Sequence, residues 1–369
     1  MEFTDLKAQY RALKTSVDAR IQRVLDHGPV IMGPEVRELE EKLEAYTGAR
    51  HCITVASGTE ALLISMMALG IKPGDEVITT PFTFIATAEM IALLGAKPVF
   101  VDAEEDTANI DASQIEAAIT PRTRAIIVVH LFGQLVEMDK ILAIAGARGL
   151  PVIEDAAQAI GARRRVSGKW RTAGELGWCG TLSFYPSKNL GAWGDGGMML
   201  TQDDALAERL RRLRTHGGIK LYHHDEVGTN SRLDTLQAAV LLAKMPFLES
   251  WSRLRREKSH WYSERFRRVP QVTAPVEDPL NEHIYHQYTI RVPKRDELME
   301  HLKAHGIGCA VYYPLALHLQ PCFAHLGYQP GRLPETERAM AEVVSLPVYP
   351  ELTEAQQEAV VETVTMFYR

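Results

Sequence analysis

Cysteine is scarce in this chain. Only Cys52, Cys179, Cys309 and Cys322 occur among 369 residues, and no two of them form a CxxC pair. That count and spacing exclude a disulfide framework and a zinc site, and point to a reducing compartment. Positive charge is also in short supply. Lys and Arg number 41 against 47 Asp and Glu, a formal net charge of -6, so there is no electrostatic footprint for nucleic acid. Two local basic clusters, Arg163-Arg164-Arg165 and Arg211-Arg212-Leu213-Arg214, read as solvated helix or loop surface rather than anion sites. Long apolar runs are missing too. The longest, Ala61 to Ile71, holds about half of the ~20 residues a membrane helix needs. The start, MEFTDLKAQYRALK, is charged from its second residue and carries no apolar leader core. The expectation is a soluble cytoplasmic protein with no membrane partner, no nucleic-acid partner and no metal.

What is present is ordinary globular composition, 46% hydrophobic and 24% charged, on a chain long enough for one large domain and a smaller one. Leu6, Tyr10, Leu13, Val17, Ile21 and Val24 step by three or four residues and predict a helix over 4–27. Pro34 is placed to open a second helix, over 34–46. From residue 51 short apolar runs alternate with helical periods: HCITV (51–55), EVITT (76–80), PVFVD (98–102), AIIVVHL (125–131) and PVIED (151–155), with helices over 59–69, 85–94 and 113–119 between them. Continuous Val/Ile runs indicate strands buried on both faces, and their alternation with helices predicts an α/β fold with a mostly parallel sheet. TLSFY (181–185) and GGMML (196–200) are close enough in sequence for antiparallel pairing. After Met245-Pro246 a charged helix (247–268), the strand-like HQYTIRV (286–292) and a helix over 295–305 read as a small α+β domain. The division is therefore 1–245 and 246–369.

Open parallel sheets bind ligands beyond the carboxyl ends of their strands, and polar residues stand at those places. Ser57-Gly58-Thr59 follows HCITV and opens a helix, whose free N–H groups suit an anion; a plain N-cap is the competing reading. Asp155 ends PVIED, with Gln158 three residues on. A carboxylate there is costly without a positive partner or several donors, although a helix cap would also fit. Lys188, in SFYPSKNLGAWGDGG, lies between a buried strand and a glycine-rich loop. A free lysine with a pKa near ~10.4 is almost wholly ammonium at neutral pH, and burial or covalent capture by a carbonyl releases its nucleophilicity. Phe84, in TPFTFIAT, is placed either to pack on a flat ring or to fill the core.

Taken together, ASGTEAL, PVIEDAAQAIGA, SFYPSKNLGAWGDGG and GTNSRLDTLQAA are similar to the motifs of the DegT/StrS family of nucleotide-sugar aminotransferases, pyridoxal-phosphate enzymes of fold type I. The resemblance runs from FTDLKAQY through LPVYPELT. It implies that Lys188 is joined covalently to pyridoxal 5'-phosphate, which holds the amino group as pyridoxamine phosphate during turnover. It also implies that Asp155 bonds the pyridine nitrogen, that Gln158 sits near the ring's 3-hydroxyl, and that Phe84 stacks on the ring. Gly58, Thr59 and Ser183 would hold the phosphate, with Asn230 reaching it from the neighbouring subunit of a homodimer. An amino-acid donor, usually glutamate in that family, would supply the amino group to a nucleotide-linked keto sugar.

The segments GIKLYHHDEVGTNSRLDTLQAAVLLAKM and YYPLALHLQPCF resemble enzymes making 3-amino sugars. They resemble most the aminotransferases for UDP-2-acetamido-2-deoxy-3-oxo-glucuronate, of O-antigen and surface-polysaccharide pathways. By that resemblance Arg232, Tyr313 and His318 meet the sugar nucleotide. Tyr312 stands where that subgroup often has histidine, which leaves dTDP-linked 3-keto or 4-keto deoxyhexoses as alternatives. Sister 3-dehydratases have histidine in place of Lys188. A non-catalytic regulator is disfavoured because every catalytic position is filled and no helix-turn-helix is appended.

Overall fold

The computed structural model describes residues 1–369 except 219 and 221, two positions in the segment just named. The chain lays down β1 (His51–Val55), β2 (Glu76–Thr79), β3 (Lys97–Phe100), β4 (Thr123–Val129), β5 (Val152–Asp155), β6 (Arg163–Val166), β7 (Lys169–Thr172), β8 (Cys179–Ser183) and β9 (Gly197–Thr201). Seven of these strands form one sheet in the order β1-β9-β8-β5-β4-β2-β3. From β8 through β3 every neighbour is parallel, whereas β9 runs antiparallel to β8 and to β1. The pairing expected of TLSFY and GGMML is therefore present, with Ser183 opposite Gly197. Because β5 is buried along its whole length, as the Val/Ile pattern requires, helices cover both faces of the sheet.

Those helices are α1 (Leu6–His27), α2 (Pro34–Thr47), α3 (Gly58–Leu69), α4 (Ala86–Leu93), α5 (Ile115–Ala118), α6 (Met138–Arg148), α7 (Asp204–Leu213) and α8 (Thr235–Lys244). Leu39, Leu43, Ile141 and Leu241 close one side of the sheet, and Ile64, Met90, Ile91 and Leu210 the other. The helix expected over 113–119 shrinks to the single turn of α5.

Downstream come α9 (Leu248–Phe266), β10 (Asn281–Glu282), β11 (Tyr288–Arg291), α10 (Arg295–Ala304), α11 (Pro334–Glu342), β12 (Val343–Leu346) and α12 (Glu354–Phe367). β11 and β12 pair antiparallel over a core of their own that includes Tyr262, Tyr288, Leu298, Leu346 and Val360. Two strands of contact tie this region back: β10 pairs with β6, and Ile284 N–H and His286 N–H donate to the carbonyls of Gly133 and Phe132.

The basic clusters differ from expectation. Arg163 to Arg165 form the strand β6, and the pleat turns Arg164 inward, 4% exposed, onto Asp278 at 2.5 Å. Arg214 is likewise inside, bonded to Glu40 and to the Thr54 carbonyl, each at 2.9 Å. A buried guanidinium requires such partners, and carboxylates distant in sequence supply them.

Candidate active site

Strand β5 ends with two consecutive carboxylates, and the pleat sends them to opposite faces. Glu154 is fully buried and accepts four hydrogen bonds: from Leu176 N–H at 2.7 Å, Gly177 N–H at 2.5 Å, Gly174 N–H at 3.0 Å and His130 Nε2 at 2.8 Å. Burial opposes its charge, but the His130 bond and the backbone donors outweigh burial and hold it below the usual carboxylate range. Asp155 has a poorer shell, Thr87 Oγ1 at 2.8 Å on Oδ2 and Ala157 N–H at 3.2 Å on Oδ1. Burial dominates, and despite these bonds and the charge of Lys188 its carboxyl lies above the usual range.

Asp155 opens onto a cavity of about 480 Å³ that is also lined by Ser57, Gly58, Thr59, Phe84, Gln158, Ser183, Lys188, Tyr312 and Tyr313. At its floor α3 begins. Ser57 caps the helix by accepting from Glu60 N–H at 3.1 Å, which leaves the Gly58 and Thr59 N–H groups for an anion. Gly58 is required by space, since a Cβ there would lie 2.7 Å from the Ser183 Cβ. The Lys188 amine reaches the same cavity. Burial, only partly countered by Asp155, pushes it down to about 8.

Gln158 is held in one orientation. Its Oε1 accepts from Phe132 N–H at 2.7 Å, so its Nε2 donates to the Tyr313 hydroxyl at 2.9 Å. Phe132 adopts φ 55° to present that N–H, a left-handed conformation costing a non-glycine residue about 1–3 kcal/mol. Phe84 lines the pocket with 57% of its surface exposed.

Three sequence candidates are not brought to this cavity. His318 is 1% exposed and its Nε2 pairs with Glu337 at 3.2 Å, so within this chain it is a packed histidine rather than a ligand-facing one. Arg232 and Asn230 do not line the cavity either; Asn230 is exposed in an isolated bridge with Thr215. Conversely, sequence reasoning passed over Thr83, Tyr185, His286 and Gln287, all of which line the pocket. His286 Nδ1–H donates to Asn189 Oδ1 at 3.0 Å, and burial together with the Lys188 and Arg255 charges holds its ring well below its ordinary value. The signal was a pair of polar residues opening the buried strand HQYTIRV.

The cavity thus presents an anion cradle, a nucleophilic amine and a buried carboxylate that lacks a close cationic partner among the described residues. That set fits pyridoxal phosphate: helix α3 for the phosphate, Lys188 for the aldehyde, and a protonated ring nitrogen as the missing cation beside Asp155. Fold and cavity together fit a pyridoxal-phosphate-dependent enzyme. Residues 12–365 match the model of the DegT/DnrJ/EryC1/StrS aminotransferase family, and the chain belongs to that family. It is 51% identical to a pleiotropic regulatory protein of Geobacillus stearothermophilus, covering 99% of this chain and 98% of that one. It is 47% identical to the UDP-2-acetamido-2-deoxy-3-oxo-D-glucuronate aminotransferase of Pseudomonas aeruginosa, covering 99% of each. Among solved structures, NtdA of Bacillus subtilis with bound cofactor PMP superposes with a TM-score of 0.87 at 32% identity, covering 96% of this chain and 82% of that one.

Proposed function

We propose that this enzyme transfers an amino group from an amino acid, glutamate by preference, to the 3-keto group of a UDP-linked sugar such as UDP-2-acetamido-2-deoxy-3-oxo-glucuronate, for a surface polysaccharide. The observation that carries the reading is the convergence of Lys188, Asp155 and the α3 N-terminus on one cavity. When bound there, the cofactor supplies an electrophilic aldehyde carbon and a ring that takes up electrons. Lys188 would hold it, and the neutral Lys188 amine, when free, would be the base that takes the donor's α-proton and carries it across the site. Asp155 keeps the ring nitrogen protonated. Gly58, Thr59 and Ser183 would bind the phosphate, Phe84 would cover the ring, and Gln158 would face the 3-hydroxyl. The same proton steps run in reverse on the keto sugar, giving alternating donor and acceptor kinetics.

Tyr312 at the cavity supports a second reading, in which the acceptor is a dTDP-linked 3-keto or 4-keto deoxyhexose. A panel of these keto sugar nucleotides assayed with glutamate separates the two. Highest kcat/KM on the UDP-3-keto uronate is expected, and preference for a dTDP sugar would overturn that substrate.

Residues 1–245 and 246–369 then act as two domains of a cytoplasmic homodimer whose active sites are shared. Exposure of Asn230 supports its reaching a neighbour's phosphate, with Arg232 at the sugar-nucleotide site of the assembled enzyme and His318, buried against Glu337, acting at most through its neighbours. Complementation tests this. Lys188→Ala and Asn230→Asp are each expected to be poor, while mixing them under subunit exchange restores at most half of the sites. Heterodimers without recovery would return Asn230 to its own subunit.

A further inference from the structure

The Asp155 carboxylate must stay ionised in a place that disfavours charge, and its neighbour on the strand shows what that takes. Glu154 manages it with four donors. Asp155 has two, of which the Ala157 N–H is fixed by the backbone and is the longer at 3.2 Å. The remaining donor is the Thr87 hydroxyl at 2.8 Å, on the first turn of α4 and wholly buried. A hydroxyl has one proton. With that proton committed to Asp155, the 3.3 Å contact between Thr83 Oγ1 and Thr87 Oγ1 is one in which Thr83 donates. Thr83 thereby turns the Thr87 hydroxyl toward Oδ2. This short relay leaves Asp155 one orientation from which to face the pocket.

We propose that Thr87, oriented by Thr83, is a positioning residue that holds Asp155 charged and aimed at the cofactor's ring nitrogen. The inference rests on the placement of the ring nitrogen at Asp155 given under the proposed function. A neutral donor to a charged acceptor, once lost, corresponds to roughly a tenfold to hundredfold change in an equilibrium or rate. Thr87→Val keeps the shape and removes the proton, whereas Thr87→Ser keeps the proton.

The test compares two ligands on the cofactor-free protein: pyridoxal phosphate and its 1-deaza analogue, which has carbon in place of the ring nitrogen. Binding of each is titrated by absorbance, and the affinity ratio isolates what depends on the nitrogen. Thr87→Val is expected to lower that ratio about tenfold, and kcat by a similar factor with the nucleotide-sugar KM unchanged. Thr87→Ser should keep both near wild type, and Thr83→Val should lower the ratio less. Equal weakening of both ligands by Thr87→Val, the mark of a merely structural role, would overturn the proposal, as would an unchanged ratio. Asp155→Asn is the control: it should collapse the ratio, and if it does not, the placement of the ring nitrogen fails first and the role of Thr87 with it. Should Thr87→Val not fold, the Thr87→Ser and Thr83→Val pair still decides, since loss in the first or none in the second contradicts the relay.

Discussion

The two faces of strand β5 carry the same functional group to opposite ends. Behind the sheet, Glu154 is saturated by His130 and by backbone of the 174–177 turn; its bonds fix that turn against the strand. In front, Asp155 is left with a thin shell and a nearby amine. A saturated buried carboxylate builds structure, whereas an unsaturated one in a cavity waits for a ligand. Two lysines repeat the contrast. Burial pushes both Lys188 and Lys244 down to about 8. Lys244, however, is 1% exposed and donates to the Gly191 carbonyl at 2.6 Å, bracing the loop that follows Lys188. A perturbed amine alone therefore does not mark the site; access to the cavity does.

The largest effect is expected from Lys188→Ala. Turnover should fall by at least the roughly 10²–10⁴-fold attributable to proton transfer alone, measured as kcat with glutamate and a keto sugar. Wild-type turnover in that variant would erase the distinction between the two lysines. Exchange of the carboxylates follows. Asp155→Asn should collapse turnover while leaving the cofactor-free protein as stable as wild type or more so, because a poorly solvated charge is removed. Glu154→Gln should do the reverse, costing about 2–3 kcal/mol in denaturant unfolding through its unpaired buried partners. The pH dependence carries a sign. The Glu154 carboxyl is lower folded than unfolded, so its contribution is present above the unfolded pKa and is lost as pH falls through the folded one. The wild-type advantage over Glu154→Gln should shrink on acidification; growth instead would contradict the assigned shell. The smallest effect concerns Lys188 in the cofactor-free protein. Only the neutral amine attacks an aldehyde, so the rate of cofactor capture should rise with pH and level off above about 8. A rate still climbing toward ~10 would describe an ordinary lysine.

The sheet was legible because its strands are continuous Val/Ile runs, and β1 spans His51–Val55 as the pattern HCITV predicts. That Gly58, Asp155 and Lys188 would meet at one cavity was legible for the same reason: each stands at or shortly after the end of a recognisable strand. What pattern does not reveal is which side a buried polar residue faces and what meets it there. Thr87 sits in an apolar helix as any buried threonine does, and its value comes from a partner 68 residues away. Arg164 and Arg214 look like surface charge until Asp278 and Glu40 arrive from distant segments. His318 stands in a segment resembling sugar-binding enzymes, yet packs against Glu337 and Tyr328.

Reductive trapping tests the central claim most directly. The holoenzyme is treated with borohydride, which fixes any lysine joined to the cofactor's aldehyde, and the digest is mapped by mass spectrometry. The account predicts the phosphopyridoxyl label on Lys188 alone, reduced in amount when excess glutamate is added before the borohydride. A label on Lys244, or spread over surface lysines with Lys188 unmodified, would contradict it.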